Sequence, residues 1–423
     1  MLPIYNELLT MWRDKGFVLP IEEGRFWLDN NFIQGITHDG DLIKLYKYKV
    51  FDDLHIEITK YSNKGNLSFT DFETWEETVV RNSNRLDDKI NDSIKIIEKS
   101  LSNYSDYSKF ILTSTGKDSM VALDLVHKID PSIQVVFNNT SLDCADTYKM
   151  VKQHPDWIVT NPKQGFYQWI KEQNFIPTRF SRGCCSIFKE GNMIEHFSNV
   201  TDKAIWFMGL RNDESTKRAD REDITHNPKW GNRNWYGCLP IRKWSDFDIW
   251  LYIIKNNIDI NPKYKKGYSR CGCAIACPYA TKYTWVLDEY WYPEMRKRWI
   301  DTLDKDFIEG MRWTKMNCTK EEYHLCWNGG LYRDNPTDQV VSEFMKYKGL
   351  TDKNVALQYF NKTCCICGKN VRQNDVLAMN LKLLGRNTNK IFCRKHLMEE
   401  LKINKEEWEI SVSDFKRQGC TLF

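Results

Sequence analysis

Residues 110–123 read FILTSTGKDSMVAL, in which an apolar run precedes a short polar loop and then apolar residues at helical spacing. This order predicts a strand, a loop containing Gly116, and a helix that begins at about Ser119. The free backbone N–H groups of a helix N-terminus favour an anion, and glycine allows it to approach closely. Lys117, which we expect to be exposed, adds a positive charge, and the Ser114 and Ser119 hydroxyls add donors. The stretch predicts either a phosphate-binding turn or an ordinary strand–helix turn with a surface lysine.

The alternation of a short apolar run with a helical segment continues along the chain. An amphipathic helix begins near Arg85, and further short apolar runs (QVVF, WIV, AIWFMG) alternate with helical segments up to about residue 260. In the segment KWSDFDIWLYIIKNN, Ser245 and Asp248 have the spacing of a helix N-cap and its capping-box partner. Strands that alternate with helices in this way predict an α/β fold around a parallel sheet.

The sequence pattern differs before and after this region. Short alternating strands dominate its beginning, and a stretch rich in Trp, Tyr and charge, without strand–helix rhythm, follows it. We predict four parts: a β-rich appendage (1–84), the α/β nucleotide-binding domain (85–284), a helical extension (285–360) and a metal-binding unit with a tail (361–423).

Composition narrows the functional classes. The chain has 423 residues, a formal charge of +4 and no apolar run that approaches the length of a membrane span. Its first residues lack the apolar centre of a signal peptide. We therefore expect a cytoplasmic protein with no membrane partner, in which clusters among the fourteen cysteines indicate metal sites rather than disulfides.

Five motifs in this order resemble a known family. STGKDS resembles the SGGKDS loop of the PP-loop ATP pyrophosphatases, which are adenine nucleotide alpha hydrolase-like proteins. The motifs FNNTSLDCADTYKMV, GLRNDESTKR, LPIRKWSDFDIW and NPKYKKGYSRCGC then resemble successive motifs of the phosphoadenosine phosphosulfate (PAPS) reductase branch. The resemblance covers about 110 to 280 and implies a PP-loop fold.

The resemblance also implies a nucleotide site at the ends of three strands. Its binding residues would be Ser114, Thr115, Gly116, Lys117, Asp118, Ser119, Asn139, Thr140, Gly209, Arg211, Glu214 and Ser215. Its catalytic residues would be Lys117, Asp118, Arg211 and Arg218. Guanidinium groups suit phosphate or sulfate oxygens, although a charged helix start of this kind is also typical of a solvated surface.

Two departures bear on the reaction. Many reductases of the branch lack the Lys-Asp-Ser of the loop, which relatives that cleave ATP retain, and the Glu-Cys-Gly-Leu-His tail of the reductases does not occur here. We therefore expect Mg²⁺-assisted cleavage of ATP to AMP and pyrophosphate, which activates a substrate for sulfur transfer from a donor. The alternatives are reduction of adenylyl sulfate or PAPS by a thiol protein, and a non-catalytic nucleotide- or nucleic-acid-binding protein.

A first cysteine set resembles the ligands of a four-iron cluster in adenylyl-sulfate reductases and DNA phosphorothioation relatives. It consists of Cys184, Cys185, Cys273 and Cys277. Four thiolates suit a 4Fe–4S cluster. Cys271 competes as a ligand, a zinc site is the main rival, and buried reduced cysteines are the third possibility.

A second set has the spacing of a structural zinc site. CCICGK and CRKH provide Cys364, Cys367, Cys393 and His396 as two short hooks. Basic residues outnumber acids around the hooks, which is typical of a nucleic-acid or partner surface and equally of a solvated face. Nucleic acid is therefore a candidate acceptor for the sulfur transfer.

Overall fold

The computed structural model describes residues 1–61, 68–179, 181–214, 221–227, 230–273, 275–329, 333, 335–360, 362–371, 374–385, 388 and 390–417. These residues divide into two compact units, 1–300 and 301–423. The predicted boundaries at 84, 284 and 360 remain predictions.

The chain begins with an antiparallel sheet in strand order β1-β2-β3-β4-β5. Its elements are β1 (Leu2–Pro3), α1 (Asn6–Asp14), β2 (Phe26–Asp29), β3 (Phe32–Ile36), β4 (Leu42–Val50) and β5 (Ile56–Lys60). Alternating burial, for example Ile43 buried between exposed neighbours in β4, explains why one face packs inward. This is the predicted β-rich appendage.

Two helices, α2 (Trp75–Arg81) and α3 (Ser83–Asn103), lead into the α/β region. It contains β6 (Ser108–Thr113), α4 (Lys117–His127), β7 (Gln134–Asn138), α5 (Ala145–Lys152), β8 (Ile158–Thr160), α6 (Phe166–Gln173), α7 (Asn192–Ser198), β9 (Lys203–Met208), β10 (Ile224–Thr225), β11 (Asn234–Cys238) and α8 (Asp246–Asn256). A π-helical stretch, Cys185–Gly191, precedes α7. The four runs predicted as strands are β6, β7, β8 and β9.

The second sheet has the order β10-β11-β9-β6-β7-β8. All neighbouring pairs are parallel except β10 with β11. From β6 the chain moves outward to β7 and β8 and then returns to β9 on the other side of β6. The carboxyl ends of β6 and β9 therefore form the topological switch point, where open α/β sheets bind ligands. The α/β fold class is confirmed.

Aromatic packing supports these central strands. Phe110 of β6 stacks on Trp206 of β9 with ring centroids 4.7 Å apart. Both belong to a buried cluster with Val136, Phe197 and Trp235. These interior side chains pack β6 against β9, the two strands that border the switch point.

The predicted capping box of α8 is present. The Ser245 hydroxyl accepts from the backbone N–H of Asp248 at 3.2 Å, and the Asp248 carboxylate accepts from the backbone N–H of Ser245 at 2.8 Å. The helix therefore begins at Asp246. Its Oδ1 lies 2.9 Å from Lys117 Nζ, directly after the loop formed by residues 114–116, which we call the phosphate loop.

Helices make up most of the chain after α8. They are α9 (Lys282–Trp291), α10 (Pro293–Glu309), α11 (Arg312–Met316), α12 (Lys320–Cys326), α13 (Asp338–Lys348), α14 (Lys353–Phe360), α15 (Asn374–Leu383), α16 (Arg394–Leu401) and α17 (Lys405–Arg417). The last three surround a small core that includes Met379, Leu397 and Trp408. None of the described helices combines the length and apolarity needed to cross a bilayer.

Candidate nucleotide site and metal-ligand sets

The loop after β6 is short and strongly bonded. Helix α4 begins at Lys117, two residues before the predicted start, because Gly116 already serves as its N-cap with φ −72° and ψ 146°. Thr115 is buried with φ +56°, in the left-handed region where a β-branched residue is strained. Its N–H donates to the Thr113 hydroxyl at 3.1 Å, and its own hydroxyl accepts from Asn261 Nδ2 at 2.8 Å.

Several loop donors are already engaged, in contrast to the sequence-based expectation. The N–H of Ser114 donates to Ser119 Oγ at 3.2 Å, and Ser119 Oγ donates to the Gly116 carbonyl at 2.8 Å, so the Ser119 hydroxyl is not free for a ligand. The Lys117 N–H donates to the Tyr264 hydroxyl at 2.9 Å. Within the described part of the chain, the backbone N–H groups of Gly116, Asp118 and Ser119 have no such acceptor and form the available anion cradle.

Lys117 is buried rather than exposed, which corrects the expectation from the sequence. Only 6% of it is accessible. Its Nζ lies 2.9 Å from Asp118 Oδ2 and 2.9 Å from Asp246 Oδ1. Burial opposes the charge, but the two carboxylates outweigh it and raise the pKa of Lys117 above its ordinary value. The lysine is therefore held as a cation at the start of α4.

Arg211, just beyond β9, brings a second cation to the same carboxylates. Its Nε donates to Asp118, its Nη2 lies 3.0 Å from Asp246 Oδ1, and its Nη1 lies 2.6 Å from Asp213 Oδ1. The Trp244 carbonyl accepts from Nη1 at 3.4 Å. Burial opposes the charge of Arg211, but these carboxylates outweigh it and raise its pKa further. Both cations therefore keep their charge in a largely buried position.

Asp246 is a site residue that the sequence analysis did not identify. It is the first residue of α8, and its Oδ1 contacts both Lys117 and Arg211. Burial would raise the pKa of Asp246, but the Lys117 ammonium and the Met1 amino group, 2.9 Å from Asp246 Oδ2, outweigh it and hold the pKa below its ordinary value. The signal available in the sequence was its place directly after the N-cap Ser245, in a motif shared with nucleotide-binding relatives.

Gly209 acts through its lack of a side chain. A Cβ at this position would lie 2.4 Å from the Asp118 carbonyl carbon and 2.5 Å from the Ser119 nitrogen. Because real Cβ contacts do not come this close, only glycine lets the end of β9 cross the first turn of α4. Gly209 therefore lies beside the cradle, and its contact with a nucleotide remains a prediction.

The other predicted nucleotide ligands are bonded within the protein. Asn139 Oδ1 accepts from Ser141 N at 2.8 Å and from the Tyr148 hydroxyl at 2.9 Å. The Thr140 hydroxyl donates to Asp143 at 2.7 Å. Glu214 accepts from the Arg211 N–H at 3.5 Å. Nucleotide contacts by these side chains remain predictions.

Ser215 and Arg218 lie outside the described residues. Their predicted roles as a nucleotide ligand and a catalytic arginine therefore remain predictions.

The first cysteine set gathers at the same edge of the sheet. Asn138, at the end of β7, donates to the carbonyls of Phe188 and Lys189 at 2.8 and 3.0 Å and so ties down the π-helical stretch. Arg179 Nε donates to the Pro278 carbonyl at 3.1 Å, joining the segments that carry the two cysteine pairs. These bonds place the predicted ligands in one neighbourhood.

The thiols of this set interact with one another. The Cys184 thiol donates to Cys185, which lowers the pKa of Cys185 to about 6 and raises that of Cys184. Burial raises the pKa of Cys273 to about 12, and the nearby Cys277 adds to the shift. Thiolate formation is therefore opposed at Cys184 and Cys273, and a bound metal ion would compensate such a cost.

The Cys271 thiol contacts the phosphate loop. It donates to the carbonyl of Thr115 at 3.7 Å, and Cys271 is 4% exposed beneath the loop. Its predicted competition for the iron–sulfur set remains a prediction.

The second set is compact. One ligand atom from each of Cys364, Cys367, Cys393 and His396 lies within 4.8 Å of the others, and among the described residues no other group of three or more potential ligands does so. Burial raises the pKa of Cys364, but backbone donors, foremost the N–H of Cys393, outweigh it and bring the pKa to about 6. A thiolate that accepts backbone N–H bonds fits a metal knuckle. These residues fit one tetrahedral ion.

Comparisons with known proteins agree with this geometry. Residues 108–278 match the phosphoadenosine phosphosulfate reductase domain. An uncharacterized protein of Methanocaldococcus jannaschii is 29% identical over 242 residues, which cover 55% of this chain and 57% of that protein. Adenosine 5'-phosphosulfate reductase of Bacillus cytotoxicus is 25% identical over 227 residues, covering 52% of this chain and 93% of that enzyme.

The match spans about half the length of the archaeal relatives, namely 57% and 43% of two uncharacterized M. jannaschii proteins. Among solved structures, phosphoadenylyl-sulfate reductase from Candida auris superposes with a TM-score of 0.35 and 15% identity, over 43% of this chain and 87% of that chain. The domain match covers the strand, loop and helix that carry Lys117, and it ends just after Cys277. Residues 108–278 therefore belong to the phosphoadenosine phosphosulfate reductase family, within the PP-loop superfamily.

Proposed function

We propose that this protein binds ATP at the phosphate loop and cleaves it to AMP and pyrophosphate to activate a substrate for sulfur transfer. The observation that carries the proposal is the buried pair of cations, Lys117 and Arg211, beside the N-terminus of α4. The three backbone N–H groups that have no acceptor among the described residues, together with two fixed cations, suit the charge of a polyphosphate better than that of a single sulfate.

In this scheme a substrate oxygen attacks the α-phosphorus, the bond from that phosphorus to the bridging oxygen breaks, and pyrophosphate leaves with the electron pair. Lys117 and Arg211 would turn their N–H donors from the carboxylates to the phosphate oxygens. The backbone N–H groups would stabilise the negative charge of the leaving pyrophosphate. A sulfur nucleophile, from a thiol or persulfide donor, would then displace AMP. The acceptor is an oxygen-bearing substrate, for which nucleic acid is our candidate.

Magnesium fits the carboxylates of this site. The oxygens of Asp118 and Asp246 are paired with Lys117 and Arg211 in this structure, so they would hold a metal ion once these two cations have turned to the phosphates. Oxygen ligands of this kind suit Mg²⁺, which would supply charge neutralisation at the phosphates.

Reduction of a sulfonucleotide is the second candidate. It is supported by the match to 93% of the B. cytotoxicus adenosine 5'-phosphosulfate reductase and by the cysteine set at the carboxyl edge of the sheet. In this reaction a thiol protein would supply two electrons, and AMP and sulfite would leave.

We further propose different metals for the two cysteine sets. Two sulfurs bound to one zinc are at most about 4.6 Å apart, twice the Zn–S bond length. The compact set with His396, whose ligand atoms lie within 4.8 Å of one another, comes within a few tenths of an ångström of this limit, whereas no three ligands of the first set lie within 4.8 Å in the described part of the chain. Cys184, Cys185, Cys273 and Cys277 thus suit a 4Fe–4S cluster, and the second set suits structural zinc.

Product analysis tests the function. Purified protein is incubated either with ATP and Mg²⁺ or with adenylyl sulfate and a thiol reductant, and pyrophosphate and sulfite are measured. Pyrophosphate with ATP supports activation, sulfite from adenylyl sulfate supports the reductase, and neither product supports a non-catalytic binding protein. In a competition titration, ATP should bind at least tenfold more tightly than AMP if the loop grips the leaving pyrophosphate.

A further inference from the structure

Two buried hydrogen bonds hold the phosphate loop from below. The Lys117 N–H donates to the Tyr264 hydroxyl at 2.9 Å, and the Cys271 thiol donates to the Thr115 carbonyl at 3.7 Å. The two bonds thus fall on the two residues that flank Gly116.

These groups are shielded from water. Tyr264 is 2% exposed and Cys271 is 4% exposed. Asn261, fully buried in the same segment, donates to the hydroxyls of Thr115 and Thr147 at 2.8 and 2.9 Å. Buried polar bonds in a low dielectric fix the orientation of their partners more strongly than exposed bonds do.

The loop needs this support for a physical reason. Thr115 has φ +56°, a strained conformation for a β-branched residue that persists only where its surroundings fix it. Gly116 has no side chain to restrict rotation of its two peptide groups. The first of these peptides carries the cradle N–H of Gly116, and the second carries the Lys117 N–H and leads into the turn that presents the N–H of Asp118.

We propose that Tyr264 and Cys271 are positioning residues that hold the peptides flanking Gly116 in the phosphate-binding orientation, and that Cys271 serves the loop rather than the iron–sulfur set. The claim that this orientation binds phosphate rests on the proposed function. The claim that Tyr264 and Cys271 hold the loop does not.

Tyr264→Phe tests the first half, with Tyr268→Phe as its matched control. Tyr268 is similarly buried, at 3% exposed, and lies in the same segment. Its hydroxyl donates to Asp288 at 2.8 Å and makes no hydrogen bond to the loop among the described residues. Deuterium exchange of the peptide containing residues 114–118 is followed in the nucleotide-free protein, together with ATP affinity by titration.

We expect Tyr264→Phe to raise amide exchange in the loop and to weaken ATP binding about tenfold while AMP binding stays within about twofold. Tyr268→Phe should change neither. If both variants show the wild-type exchange rate in the loop, the proposal is overturned. If wild-type protein does not bind ATP but Tyr264→Phe still loosens the loop, the positioning role stands and the proposed function fails.

Cys271 variants test the second half. Cys271→Ala should behave like Tyr264→Phe, and Cys271→Ser, which keeps a donor and an acceptor, should restore loop protection at least in part. Iron content of anaerobically purified Cys271→Ala should equal that of the wild type, whereas Cys273→Ala should lose iron. Loss of iron in Cys271→Ala with an unchanged loop would make Cys271 a cluster ligand and refute the assignment.

Discussion

Lys117 and Arg211 reach the phosphate site already paired, since each contacts both Asp118 and Asp246. A buried cation without such partners would be strongly destabilised, so the carboxylates are what allow the charges to exist there. A ligand phosphate must therefore compete with carboxylates, and the binding energy it gains is a difference between two sets of charge-assisted bonds.

Lys117→Met removes one of the two cations for which the phosphate and the carboxylates compete. We expect at least tenfold weaker ATP binding and a free energy of unfolding lower by about 1 to 3 kcal/mol, because Asp118 and Asp246 lose one partner while Arg211 remains. Isothermal titration with a non-hydrolysable ATP analogue and urea denaturation measure the two effects.

Lys128→Met is the control for this variant. Lys128 follows the same helix, is 46% exposed, and pairs with Asp124 at 2.9 Å rather than with the carboxylates of the site. It should bind ATP like the wild type. Equal ATP affinity in Lys117→Met and wild-type protein would remove Lys117 from the site.

The sequence predicted the loop residues well but not the state of their side chains. The apolar run and Gly116 indicated the strand and the turn, because local patterns determine them. The burial of Lys117 was missed because it depends on Asp246, which comes from a distant helix. The positive φ of Thr115 was missed for a related reason: the related motif has glycine there, and only the bonds from Asn261 reveal why threonine is tolerated.

At the scale of elements, Gly209, just after β9, passes directly against the backbone of the first turn of α4. Gly209→Ala should force these elements apart, because its Cβ would overlap the backbone of Asp118 and Ser119. We expect a loss of several kcal/mol of stability, typical of overpacking against backbone, together with loss of ATP binding.

Gly165→Ala provides the comparison. Gly165 is the N-cap of α6 and has φ −72°, and among the described residues no atom beyond its chain neighbours lies within 4 Å of the position that a Cβ would take. We expect a change in unfolding free energy below about 1 kcal/mol. Thermal unfolding that shifts equally in both variants would contradict the close approach at Gly209.

Helix α9 carries a buried carboxyl group with a measurable pH signature. Burial raises the pKa of Asp288 to about 6, and the Tyr268 hydroxyl donates to it. Between pH 3.8 and about 6 the unfolded state releases this proton while the folded state keeps it, so stability falls as pH rises through that window.

Asp288→Asn removes this titration while keeping an acceptor for Tyr268. Relative to the wild type, the variant should gain stability between pH 4 and pH 6 and show a constant difference above that, of up to about 3 kcal/mol. Urea denaturation at several pH values measures the difference. A difference that does not change with pH would show that Asp288 titrates normally.

Across the whole molecule, two ligand sets should load independently. Anaerobically purified protein should contain about four irons and about one zinc per chain, and aerobic preparation should lower only the iron. Cys277→Ser should reduce iron and leave zinc unchanged, whereas Cys393→Ser should do the opposite. Two zincs and no iron under anaerobic conditions would make the first set a second zinc site.

Fold class was predictable at this scale, since strand–helix rhythm and five ordered motifs both point to a parallel sheet. The compact ligand set was predictable too, because two short hooks bring their own ligands together. The grouping of Cys184 with Cys273 had to come through resemblance, because the two pairs approach only after the sheet has formed and Asn138 and Arg179 have tied their segments.

The contacts of the β-rich appendage limit how readily it can be exchanged for another domain. Trp27 of β2 meets Phe247 of α8 edge to face at 5.5 Å, and Leu8 of α1 lies against Gly267, where a Cβ would come within 2.7 Å of it. The appendage thus packs on the two segments that supply Asp246 and Tyr264. An exchange of this appendage for an unrelated one, by recombination or in a chimera, would have to bring a matching surface with it, so the first sixty or so residues and the nucleotide domain are expected to be inherited as one piece.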